Sequence, residues 1–144
     1  QRHRIERQCL QAGVPAPDVS KAAQEALETL VAMLSVARGQ QLLSQLGVRR
    51  EWALLDESGK VSVLDLALQD ERGWLVVDYK TGRPLSTETP EAFGQRMLAR
   101  YAKQLQSYCD RVTGLDGQVA RAALYFPRDD LWFEFDPIAS DKPC

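Results

Sequence analysis

The sequence predicts an α/β domain with a central mixed β-sheet flanked by α-helices. Three observations carry that expectation. Before residue 48, apolar residues recur at helical spacing. Between residues 51 and 80, three short runs rich in Val, Leu and Trp are separated by Gly-containing turns, the pattern of antiparallel strands. A long helical stretch then leads into two more strand-like runs. A length of 144 residues suits one domain, residues 1–144, built on one core.

The elements follow in order. Residues 1–12 read as a helix that ends at Gly13, with Ile5, Cys9 and Ala12 on one face and His3, Arg7 and Leu10 on another. Residues 14–17, Val-Pro-Ala-Pro, are a connector. Asp18 or Ser20 can cap a second helix running to Arg38, with Ala23, Leu27, Leu30, Val31 and Leu34 as its apolar stripe and Gly39 as its break. Leu42, Leu43 and Leu46 suggest a short further helix closed by Gly47. Strands are expected over 51–55, 60–69 and 74–80, with turns at 56–59 and 70–73. Residues 81–90 form a polar loop, 92–112 a long helix and 113–117 a loop. Residues 119–126 and 131–135 pair as strands across Pro127-Arg128-Asp129-Asp130, and the tail from Asp136 has little pattern. Trp52, Trp74 and Trp132 read as core or edge packing.

Composition narrows the classes. Apolar residues make up 44% and charged residues 26%, an ordinary globular mixture. A net charge of −2 excludes a globally basic nucleic-acid binder, so any such contact needs a local basic stripe. No apolar run approaches the length of a membrane span. Cys9, Cys109 and Cys144 are scattered without a CxxC pair, which argues against zinc and iron–sulfur sites and suggests reduced thiols in the cytoplasm. The first residue is Gln1, not Met, so a piece of a longer protein is expected.

The chemistry concentrates in Trp74-Leu75-Val76-Val77-Asp78-Tyr79-Lys80-Thr81-Gly82. Side chains alternate along a strand, so Asp78 and Lys80 point one way and Tyr79 the other. Charges at the end of a strand covered on both faces need compensation. A four-residue hairpin loop with Gly73 left-handed pairs Gln69 with Trp74. Carried along the strands unchanged, that register sets Asp65 opposite Asp78 with side chains about 5 Å apart. A slip of one residue would put the acids on opposite faces. Two carboxylates so close repel, and a divalent cation removes the conflict. Oxygen ligands suit magnesium or manganese, and the Tyr79 carbonyl is placed to complete the shell. Lys80 can orient water or neutralise charge on a phosphate. Together these residues describe a metal-dependent phosphodiesterase.

Val61-Ser62-Val63-Leu64-Asp65-Leu66, followed by Val77-Asp78-Tyr79-Lys80-Thr81-Gly82, resembles the RecB-type nuclease domain of the PD-(D/E)XK superfamily. The likeness is to the carboxy-terminal nuclease of RecB- and AddA-like helicase–nucleases. Tyr101-xx-Gln104-Leu105-xx-Tyr108 is similar to that family's Gln-x-x-x-Tyr helix motif, and Ala123-Leu124-Tyr125-Phe126 falls where the family has a strand. Ser62 stands where the family usually has Gly, and Glu51 stands where an acidic residue often precedes its first strand.

The resemblance implies a restriction-endonuclease-like core and an exonuclease in DNA recombination or repair. It implies Asp65 and Asp78 as metal ligands, Lys80 as the catalytic lysine and His3 as a further ligand. It implies single-stranded DNA as the substrate and a helicase motor in the parent chain or on a partner. Tyr101, Gln104 and Tyr108 lie on one helix face, where Tyr can stack on a base and Gln can bond a phosphate or base. Arg96, Arg100, Lys103 and Arg111 form a neighbouring stripe able to follow a DNA backbone. Two alternatives remain beside the nuclease. One is a catalytically weak or inactive DNA-binding module of a helicase complex. The other is a protein–protein adaptor with a structural ion-pair hairpin.

Overall fold

A computed structural model describes residues 2–44, 48–56 and 58–138. They fall into two compact units, one of residues 2–44 with the turn 127–130, the other of residues 48–56, 58–126 and 131–138. Expectations on Gln1, Leu46, Gly47, Glu57, Cys144 and the tail beyond Ile138 lie outside the described residues.

The first unit is helical. It holds α1 (Arg2–Gln11), a single 3-10 turn (Ala16–Asp18), α2 (Val19–Ser35) and α3 (Ala37–Ser44). The second helix ends earlier than the sequence suggested. Val36 is extended, at φ −122° and ψ 145°, and Gly39 lies inside α3 instead of breaking α2. Side chains at the break donate to carbonyls of the last helical turn. Ser35 Oγ donates to the Val31 carbonyl at 2.7 Å and Gln40 Nε2 to the Leu34 carbonyl at 2.6 Å. Gly39 is there for space, because a Cβ would run into the Met33 backbone carbonyl. The buried side of α2 is Val19, Ala23 and Met33, while Leu30, Val31 and Leu34 of the expected stripe are exposed.

The second unit is α/β: a five-stranded mixed sheet with one long helix packed on it. The strands are β1 (Arg49–Leu55), β2 (Val61–Asp70), β3 (Gly73–Tyr79), β4 (Ala120–Phe126) and β5 (Leu131–Phe135), side by side in chain order. All neighbours are antiparallel except β3 and β4, which are parallel. A parallel pair needs a crossover, and α4 (Pro90–Asp116) supplies it. The expected register holds: Gln69 pairs with Trp74 and Leu66 with Val77. The turn is tighter than expected, because Asp70 also pairs with Gly73, whose φ of +100° suits glycine.

The helix α4 starts and stops on local signals. Thr89 Oγ1 accepts the Ala92 N–H at 3.2 Å, and Pro90 fills the first helical position, where it lacks no needed donor. The helix continues past the expected end at residue 112, through Gly114, to Gly117. Gly117 has φ +77° and returns its N–H to the Thr113 carbonyl at 2.8 Å. Phe93, Met97, Leu105, Tyr108, Cys109 and Val112 of α4 close over Trp74, Val76, Ala122, Leu124 and Phe126 of the sheet. This is the core. Asp78 follows Trp74 and Val76 by the strand's alternation and is the buried charged residue at its edge, 4% exposed. Among the described residues, no helix is long and apolar enough to cross a membrane.

Candidate functional site

The end of the β2–β3 hairpin brings the two acids and the lysine together. The ladder between these strands stops at Leu66–Val77. Beyond it, the Asp65 carboxylate takes the Tyr79 N–H at 2.8 Å through Oδ2. The Lys80 N–H continues the pairing with β4, donating to the Tyr125 carbonyl at 2.9 Å. The backbone on either side of the site is therefore fixed by hydrogen bonds.

The side chains form a connected set. Lys80 Nζ lies 2.6 Å from Asp78 Oδ2, 3.4 Å from Gln104 Oε1 and 4.2 Å from the centre of the Tyr101 ring. Gln104 Nε2 donates to the Tyr108 hydroxyl at 2.7 Å. The expected helix motif thus faces the expected hairpin. Tyr108 is buried, and Tyr101 lies beneath the lysine. Arg100 stands 5.5 Å over the Tyr101 ring. The Tyr79 side chain points away from the lysine, towards the Tyr125 ring at 6.1 Å, as strand alternation requires.

Electrostatics mark the acids as a pair. Burial pushes the Asp65 carboxyl above its ordinary value, and the charge and hydrogen bonding of Asp78 push it the same way. The Tyr79 N–H and the Lys80 ammonium pull in the opposite direction. Burial also raises the Tyr108 hydroxyl, and both acids add to the effect against the hydrogen bond from Gln104. Asp78 Oδ2 is buried and accepts no directed hydrogen bond. The Lys80 ammonium is the charged group that approaches it, at 2.6 Å. Two carboxylates, one with a buried oxygen that accepts no directed hydrogen bond, match the donor set of a hard divalent cation that keeps several waters.

His3 belongs to the helical unit. Its side chain is 96% exposed, with Nδ1 3.2 Å from Glu6 Oε2. Among the described residues, no group of three or more His, Cys, Asp and Glu side chains is gathered to hold an ion.

The basic stripe on α4 is interrupted. Arg96 makes a two-pronged pair with Glu88, at 2.7 and 2.8 Å. Arg111 is tied to Asp56 at 2.9 Å and to the Lys60 carbonyl at 3.3 Å. Two of the four cations are thus committed to carboxylates at the ends of the helix. Two cavities also lie along α4, away from the acids. One, of about 470 Å³, is bordered by Leu54, Asp56, Arg111 and Leu115, and the other, of about 650 Å³, by Lys103, Ser107, Phe135 and Ile138.

Sequence reasoning missed Glu88. Its carboxylate accepts the Leu85 N–H at 3.0 Å and grips Arg96, which ties the loop after Lys80 to the start of α4. The signal was present in Glu88-Thr89-Pro90, an acid and a cap just ahead of a first-turn proline.

Fold and site together define an α/β domain whose sheet carries a buried acid pair and a lysine beneath one crossover helix. No protein-family model matches the chain, and no curated protein matches its sequence.

Proposed function

We propose that this domain is a magnesium- or manganese-dependent deoxyribonuclease of the RecB-like PD-(D/E)XK type, acting on single-stranded DNA. The observation that carries the reading is the convergence of Asp65, Asp78 and Lys80 with Gln104 and Tyr108 at one end of one hairpin. These residues come from three separate segments, β2, the end of β3 and α4, and ordinary core packing does not require charged groups there.

Asp65, Asp78 and the Tyr79 carbonyl would hold the ion. Such an ion, when bound, polarises a phosphoryl oxygen and makes hydroxide available from water near neutral pH. Lys80 places a positive charge beside the acids, where it can stabilise charge developing on a phosphodiester. Gln104 and Tyr101 hold that ammonium from the helix side, which lowers the cost of keeping it in place. The Tyr79 N–H keeps the Asp65 carboxylate turned towards the site. Arg100 supplies a cation close to the same edge of α4 for the DNA backbone. In this reading the domain works with a helicase that delivers single strands, in DNA recombination or repair, in the cytoplasm.

The test is cleavage of a labelled single-stranded oligonucleotide with magnesium, manganese or EDTA. The wild type should cleave only with metal. Asp78→Ala and Lys80→Ala should lose cleavage by a factor of about a hundred or more while still binding the strand. Equal cleavage by Asp78→Ala and wild type removes the active-site assignment. Binding without cleavage under every condition leaves a DNA-binding module.

A further inference from the structure

The two ladders on either side of β2 are both interrupted at the same residue. Between β1 and β2, Arg50 pairs with Leu66 and Trp52 with Leu64, but the pair between them, Glu51 with Asp65, is missing. Between β2 and β3 the pairing ends at Leu66–Val77, one step short of Asp65. Glu51 itself has φ +47°, a left-handed conformation in the middle of a strand. For a residue with a side chain this is uncommon and costs free energy unless something holds it.

The consequence is a change of face. Leu64 and Ala67 are three residues apart, and both belong to the core. Strict alternation would put them on opposite sides of the sheet. The same holds on β1: Arg49 stacks over the Trp52 ring at 4.6 Å, again three residues apart. Both strands therefore switch parity at the missing pair. Continued from Leu64 without the switch, Asp65 would point away from α4 and from Asp78. With it, Asp65 shares the parity of Ala67, which is paired with Val76 on the core face.

We propose that Glu51 is a positioning residue, and that its left-handed backbone turns the Asp65 carboxylate onto the Asp78 face of the sheet. What matters at position 51 is the backbone conformation, not the carboxylate. This deepens the metal-site reading above and rests on it only for the consequence on ion affinity.

The test uses the whole chain with Glu51→Gly, Glu51→Asn and Glu51→Val. Glycine takes a left-handed conformation freely and asparagine tolerates it, whereas a β-branched residue resists it. The first readout needs no metal: hydrogen exchange of the Tyr79 amide, which the Asp65 carboxylate holds. Gly and Asn should keep wild-type protection. Val should exchange about tenfold faster or more at Tyr79 while the amides of Val76 and Val77 stay protected. The second readout is manganese affinity, which should follow the same order, unchanged in Gly and Asn and weakened about tenfold in Val.

Wild-type protection at Tyr79 in a folded Val variant overturns the proposal. So does loss of protection in Gly equal to that in Val, since the side chain would then be responsible. If Val does not fold, the Gly and Asn variants decide alone, because both must retain the Tyr79 protection. Failure of the wild type to bind manganese, with the Tyr79 pattern intact, counts against the metal site and leaves the aiming of Asp65 standing.

Discussion

Replacing Lys80 by Met tests the electrostatic design most directly. The ammonium lies 2.6 Å from an Asp78 carboxylate that is only 6% exposed, and the lysine itself is 19% exposed. Breaking a buried ion pair from one side leaves an uncompensated charge and costs about 3–5 kcal/mol. The partly wet lysine points to the lower end of that range. Loss of the cation above the Tyr101 ring adds about 0.5–1 kcal/mol. Lys80→Met should therefore cost about 3–4 kcal/mol and lower the melting temperature by about 10 °C for a chain of this size. Asp78→Asn added to it removes the orphaned charge, and the double variant should return to within about 1 kcal/mol of wild type. Saturating manganese should also restore part of the loss, by about 3 kcal/mol at a hundred times the dissociation constant. Calorimetry on the four proteins of the cycle, with and without manganese, measures all of this. A Lys80→Met variant as stable as wild type, or a double variant no better than the single, would refute the reasoning. The same preparations separate the nuclease from an adaptor with a structural ion pair: in the first, Lys80→Met loses turnover even where manganese restores its stability, whereas in the second the wild type has no turnover to lose.

Three further outcomes are expected. Glu88 is held down to about 2 from an ordinary value of 4.5 by hydrogen bonds from Arg96 and from the Leu85 N–H. A depressed carboxylate stabilises the fold fully above its unfolded value and less as pH falls, so the stability gap between wild type and Arg96→Met should be constant above about pH 5 and close between 4.5 and 2. A carboxyl titration of Glu88 by NMR with a midpoint near its ordinary value would contradict the clamp. Burial pushes the Cys109 thiol up to about 12, so native protein treated with iodoacetamide near pH 8 should be alkylated at the half-buried Cys9 well before Cys109, as read by peptide mass spectrometry. Tyr108→Phe removes the acceptor of the Gln104 amide and should cost about 1 kcal/mol in a denaturant melt without loosening the core around Cys109.

Much of the site could be read from the chain because it depends on local rules. Strand alternation and one glycine turn fix the register of β2 against β3, and Gln69–Trp74 pairs as that turn requires. The spacing of Tyr101, Gln104 and Tyr108 puts them on one face of α4 whatever the helix packs against. The break at Val36 was hidden because Gly39 offered a more familiar stop. The end of α4 was set too early because a loop was assigned to residues 113–117, whereas only Gly117 takes the left-handed conformation. The basic stripe is the instructive case. The helix does present all four cations, but Asp56, remote in sequence from Arg111, arrives through the fold and neutralises it. Periodicity reports what a helix offers, not what other segments bring to it. Glu51 is harder still, since nothing in a Glu codes for a left-handed strand residue, and the role proposed for it rests on the two ladders read together.

The charges around Lys80 also say why such an arrangement is poor as a structural device. Two ionised acids and one ammonium leave one negative charge in excess in a half-buried place, and burial together with the nearby Asp78 charge raises the Asp65 carboxyl above its ordinary value. Apolar residues of similar volume would serve stability as well or better. A divalent cation reverses the sign of the excess and favours the ionised form of Asp65, and the single negative charge of a phosphodiester then brings the sum to zero. An adaptor has no use for a set of charges that balances only with two further charged groups present. The prediction that follows is specific to the nuclease: manganese binding should release protons from the wild type near the titration of Asp65, and Asp65→Asn should bind manganese weakly with no such release. Calorimetric titrations in buffers of different ionisation enthalpy measure the released protons, and equal release by both proteins would defeat this account of the site.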